Sequence, residues 1–170
     1  MKQSDKYNFL IVNTYQMADK NSNILYIDDE VHNLTAFKAN FRKHYNIFTA
    51  ESAEEGKKIL TENKIHVIIS DQRMPGMTGV EFLASILKEF PDPIRILLTG
   101  YTDVETVIEA INKGHVYKYI TKPFVEAELK ITIDNALEVY FLREQNKALM
   151  EQVLLINEQL EFMLRQRLLS

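Results

Sequence analysis

Carboxylate, hydroxyl and ammonium side chains follow short apolar runs at four points of the sequence. They are Asp28, Asp29, Asp71, Thr99 and Lys122. Crowded carboxylates repel one another unless a cation neutralises them, and Mg²⁺ takes one or two carboxylates together with water and phosphate oxygens. A carboxylate can also be the nucleophile that accepts a phosphoryl group, while an ammonium group and a hydroxyl bind the oxygens of the transferred group. Brought together, these side chains would form a site for Mg²⁺ and a phosphoryl group.

The apolar runs that precede these residues have the character of buried strands. Most of their residues are apolar and many are β-branched, which is typical of parallel strands covered on both faces. The runs are residues 24–27, 45–49, 65–70, 94–98 and 116–120. With helices between them, they predict five βα units, a doubly wound α/β sheet with helices on both faces. Because ligands bind beyond the carboxyl ends of the strands in such a sheet, the five polar side chains are expected at one edge.

Apolar residues between the runs recur at the spacing of amphipathic helices. The predicted faces are Leu34, Phe37 and Phe41; Leu83, Ile86, Leu87 and Phe90; and Val104, Val107, Ile108 and Ile111. Capping boxes are predicted for Ser52 with Glu55, Thr78 with Glu81, and Thr102 with Glu105. Lys113 and Gly114 predict a helix end.

Four motifs of this sequence together resemble the receiver domains of two-component response regulators. Each motif alone is common in turns and helix caps, but all four occur in order at the ends of predicted strands. They are Asp28-Asp29, Ser-Asp-Gln-Arg-Met-Pro-Gly-Met-Thr-Gly at residues 70–79, Leu-Thr-Gly at residues 98–100 and Tyr-Ile-Thr-Lys-Pro-Phe at residues 119–124. The resemblance covers residues 23–143 and implies a flavodoxin-like sheet of strand order 2-1-3-4-5.

The resemblance implies where a phosphoryl group and its metal would bind. Asp71 would accept the phosphoryl group. Mg²⁺ would be held by Asp28, Asp29 and Asp71, together with the backbone carbonyl of Arg73. Gln72, directly after the acceptor, is expected to point its side chain away from the metal.

The resemblance also implies how the site responds to phosphorylation. Thr99 would hydrogen-bond the phosphoryl group, and Lys122 would pair first with Asp71 and then with the phosphate. A cis peptide bond is implied between Lys122 and Pro123. Tyr119 would be the aromatic switch that turns inward as Thr99 moves. Self-dephosphorylation would be tuned by Arg73 and by the bulky Tyr101, which we expect to slow it by blocking water.

The last part of the chain is predicted to be one long helix. Residues 125–169 contain neither proline nor glycine, and a heptad emerges over the later half. One core position holds Leu142, Leu149, Ile156 and Met163, and the other holds Asn146, Val153 and Leu160. This pattern predicts that the fifth helix extends into a dimerising coiled coil, with Asn146 fixing register and strand number. The alternative is a long helix that folds back onto its own domain.

Length and composition suggest a domain organisation and argue against several classes of protein. The 170 residues suggest an N-terminal tail (residues 1–22), a receiver domain (23–143) and a helical coiled-coil extension (144–170). The net charge of −4 argues against general binding to nucleic acid or anionic membranes. No apolar stretch approaches the roughly 20 residues of a membrane helix, so no membrane insertion is expected. The absence of cysteine excludes disulfides and thiolate sites and suits a cytoplasmic location.

The predicted function is that of a response regulator receiver domain, which catalyses only its own phosphorylation and dephosphorylation. A sensor histidine kinase or phosphotransfer protein would donate the phosphoryl group to Asp71. The signal would leave through the extended C-terminal helix, as a homodimer, towards an effector domain in a longer protein. Alternatives are a single-domain adaptor or scaffold and a Mg²⁺-dependent phosphohydrolase with an aspartyl nucleophile. A transcription factor is not expected because no DNA-binding domain follows residue 143.

Overall fold

The computed structural model describes residues 21–100, 104–113 and 115–169. Several expectations fall outside these ranges. They concern residues 1–20 of the predicted tail, Tyr101, Thr102 as a helix cap and Gly114 as a helix end.

The sheet has the predicted order and direction. Its strands are β1 (Asn23–Ile27), β2 (Asn46–Ala50), β3 (Val67–Asp71), β4 (Ile94–Thr99) and β5 (Lys118–Thr121). All neighbouring strands run parallel in the order β2-β1-β3-β4-β5, which confirms the flavodoxin-like α/β prediction. Asp71 pairs with Leu98, and Thr99 pairs with Thr121. The strand ends that carry the polar side chains therefore reach the same edge.

Five helices alternate with the strands in the described part of the chain. They are α1 (Val31–Phe41), α2 (Ala53–Glu62), α3 (Gly79–Ile86), α4 (Val104–Asn112) and α5 (Glu126–Leu169). The capping box at α3 is confirmed, because Thr78 and Glu81 satisfy each other's backbone N–H groups. At α2 the box is half formed: Ser52 accepts from the N–H of Glu55, but the Glu55 carboxylate accepts from the N–H of Glu51.

The helices cover both faces of the sheet. On one face α2, α3 and α4 bury a core with alternate strand residues, among them Leu25, Ile68 and Leu97. On the other face Tyr26 lies against Phe37 of α1. The face predicted for α4 is wrong at Ile108, which is 46% exposed. The residues of α4 that pack against the core are Val107, Ala110 and Ile111; the first directly precedes Ile108, and the other two follow it by two and three positions.

A buried arginine joins the loops at the amino-terminal edge of the sheet. Arg95 of β4 donates from Nε to the carbonyl of His115 and from Nη1 to the carbonyls of Pro91 and Pro93. The backbone carbonyl of Arg95 accepts from Tyr117. This side chain thus ties the segment before β4 to the segment before β5.

The chain divides into two compact units after Tyr140, within α5. In the first unit α5 buries Leu129, Ile133, Ala136, Leu137 and Tyr140. In the second unit most large apolar side chains of α5 are exposed. Those at the predicted heptad positions are Leu142, Leu149, Val153, Ile156, Leu160 and Met163. Among the described residues, no helix is both long and apolar enough to cross a membrane.

Candidate functional site

Asp28 is the most enclosed carboxylate at the carboxyl edge of the sheet. It follows β1, and its side chain is 2% exposed. Its Oδ2 accepts hydrogen bonds from the hydroxyl of Tyr26 at 2.6 Å and from Nδ2 of Asn33 at 3.1 Å. Its Oδ1 accepts from the N–H of Glu30 at 2.9 Å. These bonds offset the cost of burying the carboxylate and hold it in one orientation.

Asp71 and Asp28 share one ammonium group. Nζ of Lys122 lies 2.5 Å from Oδ1 of Asp71 and 3.3 Å from Oδ2 of Asp28. The other oxygen of Asp71 accepts from the N–H of Arg73 at 2.8 Å. The Asp71 side chain is 11% exposed and that of Lys122 is 31% exposed. The edge therefore holds two carboxylates with a partly accessible cation between them.

Thr99 and Lys122 are brought together by the backbone. The N–H of Lys122 donates to the carbonyl of Thr99 at 2.8 Å, and the Lys122–Pro123 bond is cis, as expected. The Thr99 side chain is buried, and its hydroxyl donates to the carbonyl of Gly100 at 3.2 Å. Tyr119 of β5 is half-buried against the core. The five polar positions predicted from the sequence thus reach one edge of the sheet.

The two remaining predicted ligands, Asp29 and Arg73, are both exposed. Among residues 21–100, 104–113 and 115–169, no three acidic or histidine side chains surround a common metal position. The ammonium of Lys122 instead fills the space between Asp28 and Asp71. Mg²⁺ needs only one or two carboxylates, with water and a carbonyl completing its shell. The oxygen donors at this edge therefore fit Mg²⁺.

The electrostatics favour charged forms of Asp28 and Lys122. Burial alone would raise the pKa of Asp28, but hydrogen bonds from Tyr26 and Glu30, the charge of Lys122 and the Asn33 amide lower it below its ordinary value. Burial would lower the pKa of Lys122, but its hydrogen bonds and charge interactions with Asp71 and Asp28 raise it overall. Burial and the Asp28 carboxylate also raise the pKa of Tyr26, so its hydroxyl remains a donor.

The start of α3 is held against the end of β3. Gln72 turns its side chain to α3, where Oε1 accepts from the N–H of Val80 at 3.1 Å. The N–H of Gly79 donates to the carbonyl of Gln72 at 3.0 Å. A Cβ at Gly79 would lie 2.2 Å from the carbonyl oxygen of Asp71, so no larger residue fits without displacing that backbone. Gln72 and Gly79 therefore fix the backbone on either side of the acceptor loop.

The sequence also matches the model of a known protein family. The model of the response regulator receiver domain matches residues 24–134. The chain belongs to the response regulator receiver family. Such a receiver is a signalling module rather than an enzyme, so the phosphohydrolase alternative is set aside.

Relatives of this receiver agree in sequence and fold. The hydrogenase transcriptional regulatory protein HoxA of Cupriavidus necator is 38% identical over 127 residues, 75% of this chain and 26% of HoxA. This chain thus spans about a quarter of the length of that relative. A response regulator receiver domain protein from Clostridium thermocellum is 36% identical with a TM-score of 0.68, covering 72% of this chain and 98% of that one. The response regulator TrrA of Thermotoga maritima, crystallised with Mg²⁺-BeF, is 30% identical with a TM-score of 0.61, covering 69% of this chain and 100% of that one.

Sequence reasoning missed the residues that support the site. The hydrogen bonds that Tyr26 and Asn33 make to Asp28 were not predicted. For Gln72 the prediction was only a side chain directed away from the metal, and its bond to Val80 was not predicted. A signal for Tyr26 existed, because residues two apart on a strand point to the same side, and Tyr26 precedes Asp28 by two positions. No local pattern marks Asn33, since its contact with Asp28 depends on how α1 leaves the strand edge.

Proposed function

We propose that this receiver accepts a phosphoryl group on Asp71 from a sensor histidine kinase or a phosphotransfer protein, in a Mg²⁺-dependent phosphorelay. The observation that carries the proposal is the Lys122 ammonium between Asp71 and Asp28, within contact distance of both. A carboxylate that can act as nucleophile, beside a cation that can bind the oxygens of the transferred group, is an arrangement suited to phosphoryl transfer. The family match and the Mg²⁺-BeF complex of TrrA support the same chemistry.

The transfer follows from the position of each side chain. A carboxylate oxygen of Asp71 forms the new P–O bond as the P–N bond of a phosphohistidine breaks, and the imidazole nitrogen keeps the electron pair and takes up a proton. Asp28, Asp29, Asp71 and the backbone carbonyl of Arg73 would hold Mg²⁺, which would supply positive charge beside the phosphoryl oxygens. Lys122 then turns its ammonium from the carboxylate to the phosphoryl oxygens.

The response to phosphorylation begins at Thr99. Its hydroxyl gives up the bond to the Gly100 carbonyl and donates to a phosphoryl oxygen instead. Tyr119, two residues before Thr121 on the strand that pairs with Thr99, then moves inward as the aromatic switch. These movements change the surface that α4, β5 and α5 form.

Intact-protein mass spectrometry tests the acceptor. After incubation with acetyl phosphate and Mg²⁺, the wild-type chain should gain one phosphoryl group, and none should be gained when EDTA replaces Mg²⁺. Asp71→Asn should gain none. Asp134→Asn is the matched control, because Asp134 is another carboxylate paired with a lysine, Lys130, and should leave labelling intact. Labelling of Asp71→Asn equal to wild type would contradict the assignment of the acceptor.

The output is proposed to run through a homodimer of the helical extension (residues 144–170). The heptad residues Leu149, Val153 and Ile156 are exposed on α5 and offer the apolar seam that a coiled coil buries. One flank of the seam holds Gln145, Gln152, Gln159 and Gln166, spaced seven residues apart. Because this flank carries no charge, two identical helices meet there without like-charge repulsion.

Light scattering tests the dimer with a matched pair of substitutions. Ile156→Glu places a charge in the seam and should produce monomers. Leu154→Glu places the same charge on an equally exposed apolar residue outside the seam and should leave the dimer intact. If the wild-type chain is a monomer, or if both variants dissociate to the same extent, the coiled-coil proposal fails.

The end point of the signal is an effector joined through this helix in a longer protein, with a single-domain adaptor as the alternative. HoxA, of which this chain spans about a quarter, is a transcriptional regulatory protein. The mass of the intact gene product, measured from native protein, separates the two. A mass matching 170 residues would favour the adaptor.

A further inference from the structure

A column of aromatic rings leads to the buried carboxylate Asp28. It consists of Tyr26, Phe37, Phe41 and Tyr45. Successive ring centroids lie 4.4, 4.6 and 6.3 Å apart. All four side chains are buried, so each ring is confined by its neighbours. The column therefore fixes the ring of Tyr26 on β1 and, with it, the direction of its hydroxyl.

The hydroxyl of Tyr26 makes the shortest of the side-chain hydrogen bonds to Asp28. It donates to Oδ2 at 2.6 Å, whereas Asn33 lies at 3.1 Å and Lys122 at 3.3 Å from the same oxygen. Oδ1 accepts the N–H of Glu30 and keeps a second lone pair. Three donors thus converge on Oδ2, which leaves Oδ1 as the oxygen with capacity for a metal.

Lys122 makes the longest of these three contacts, and its side chain is 31% exposed. The proposed transfer requires its ammonium to leave the carboxylates for the phosphoryl group. The bond from Tyr26 involves no group that the transfer moves. Asp28 can therefore keep its orientation while Lys122 departs, provided that the Tyr26 hydroxyl holds it.

We infer that Tyr26 is a positioning residue for the metal: its hydroxyl, fixed by the aromatic column, holds Oδ2 of Asp28 so that Oδ1 is presented to Mg²⁺. The inference rests on the proposed function, because it assumes that Asp28 is a ligand of Mg²⁺. Groups that hydrogen-bond a metal-ligating carboxylate orient it, and their loss typically weakens metal binding about 10- to 100-fold. Tyr26 itself does not touch the phosphoryl group.

Calorimetric titration with Mg²⁺ tests the inference. Tyr26→Phe keeps the ring and the column but removes the hydroxyl, and the Kd for Mg²⁺ should rise at least about 10-fold. Tyr45→Phe is the matched control, because the Tyr45 hydroxyl at the far end of the column also donates to a carboxylate, that of Asp134, at 2.5 Å. Its Kd for Mg²⁺ should equal that of wild type. Asn33→Ala removes a longer bond to Oδ2 and should give an intermediate Kd.

A kinetic measurement separates positioning from general damage. Labelling by acetyl phosphate should be slower for Tyr26→Phe at low Mg²⁺ and should return to the wild-type rate at saturating Mg²⁺. An unchanged Kd in Tyr26→Phe, or equal weakening in Tyr26→Phe and Tyr45→Phe, would overturn the inference while leaving the proposed function intact. A wild-type chain that binds no Mg²⁺ would overturn the proposed function and this inference with it.

Discussion

Replacing Lys122 by methionine tests the electrostatic balance of the site directly. Lys122→Met keeps a long side chain but removes the only ammonium that the described residues place between Asp28 and Asp71. At the 3.3 Å contact with Asp28, an effective dielectric of about 20 gives a gross attraction of about 5 kcal/mol. Desolvation of the lysine offsets much of this attraction.

The net cost is set by what the substitution leaves behind. Removing one partner of a fully buried ion pair costs about 3–5 kcal/mol, because the other charge stays buried without compensation. Lys122 is 31% exposed, so solvent screens part of the interaction and the expected loss is about 2–3 kcal/mol. The loss should be largest without divalent cations, since Mg²⁺ can neutralise the same carboxylates.

Urea unfolding of wild type and Lys122→Met, each in EDTA and in Mg²⁺, measures these terms. Mg²⁺ should stabilise the variant more than wild type, because binding to the folded state alone adds stability and the variant offers no competing ammonium. Lys130→Met is the control: it removes an exposed pair with Asp134, in which both side chains are 37% exposed, and should cost about 0.3–0.5 kcal/mol. Equal stability of wild type and Lys122→Met in EDTA, or equal stabilisation by Mg²⁺, would refute the reasoning.

Three further predictions concern the surroundings of the acceptor. Gln72→Leu removes the side-chain acceptor for the N–H of Val80 and should lower stability by about 1 kcal/mol in thermal unfolding; an unchanged midpoint would mean that this hydrogen bond contributes nothing. Because the folded-state pKa of Asp28 lies below its unfolded value of about 3.9, its contribution to stability is complete above that pH and is lost as pH falls through the folded pKa. The urea midpoint should thus fall more steeply on acidification in wild type than in Asp28→Asn. Parallel curves of midpoint against pH would contradict this role of Asp28. Gly79→Ala should cost about 1–3 kcal/mol and slow phosphorylation, because its Cβ meets the Asp71 carbonyl. Gly56→Ala, which meets the flexible tip of Ile27, should cost less and leave phosphorylation unchanged.

The sequence was sufficient to predict the sheet and the residues at its edge. The runs around Ile24, Ile68 and Ile96 are apolar because both faces of their strands are covered, and this burial is visible residue by residue. Once the strands are parallel, their carboxyl ends share one edge. The meeting of Asp28, Asp71 and Lys122 therefore follows from the order of the elements rather than from any long-range contact that would have to be guessed.

The supporting contacts could not be predicted, because they depend on packing between elements. Periodicity places Ile108 on the same helical face as Val107 and Ile111. Which of these side chains is buried depends on where the sheet lies beneath α4. Gln72 follows the acceptor in sequence, yet its role depends on the approach of Val80 eight residues later. The aromatic column runs from Tyr26 of β1 through α1 to Tyr45, which directly precedes β2, so no single segment of the sequence contains its pattern.

The arginine at the opposite edge of the sheet has a consequence for local stability. Arg95 binds three carbonyls in the loops before β4 and β5, and a planar guanidinium holds such partners in a fixed arrangement. The two loops can separate only by breaking these bonds and exposing a buried charged group. Amide hydrogens around Ile94 and Lys118 should therefore exchange only when the whole domain unfolds. Amide hydrogens at the phosphoryl-binding edge can exchange through smaller, local openings. The two edges of one sheet should therefore differ in local stability.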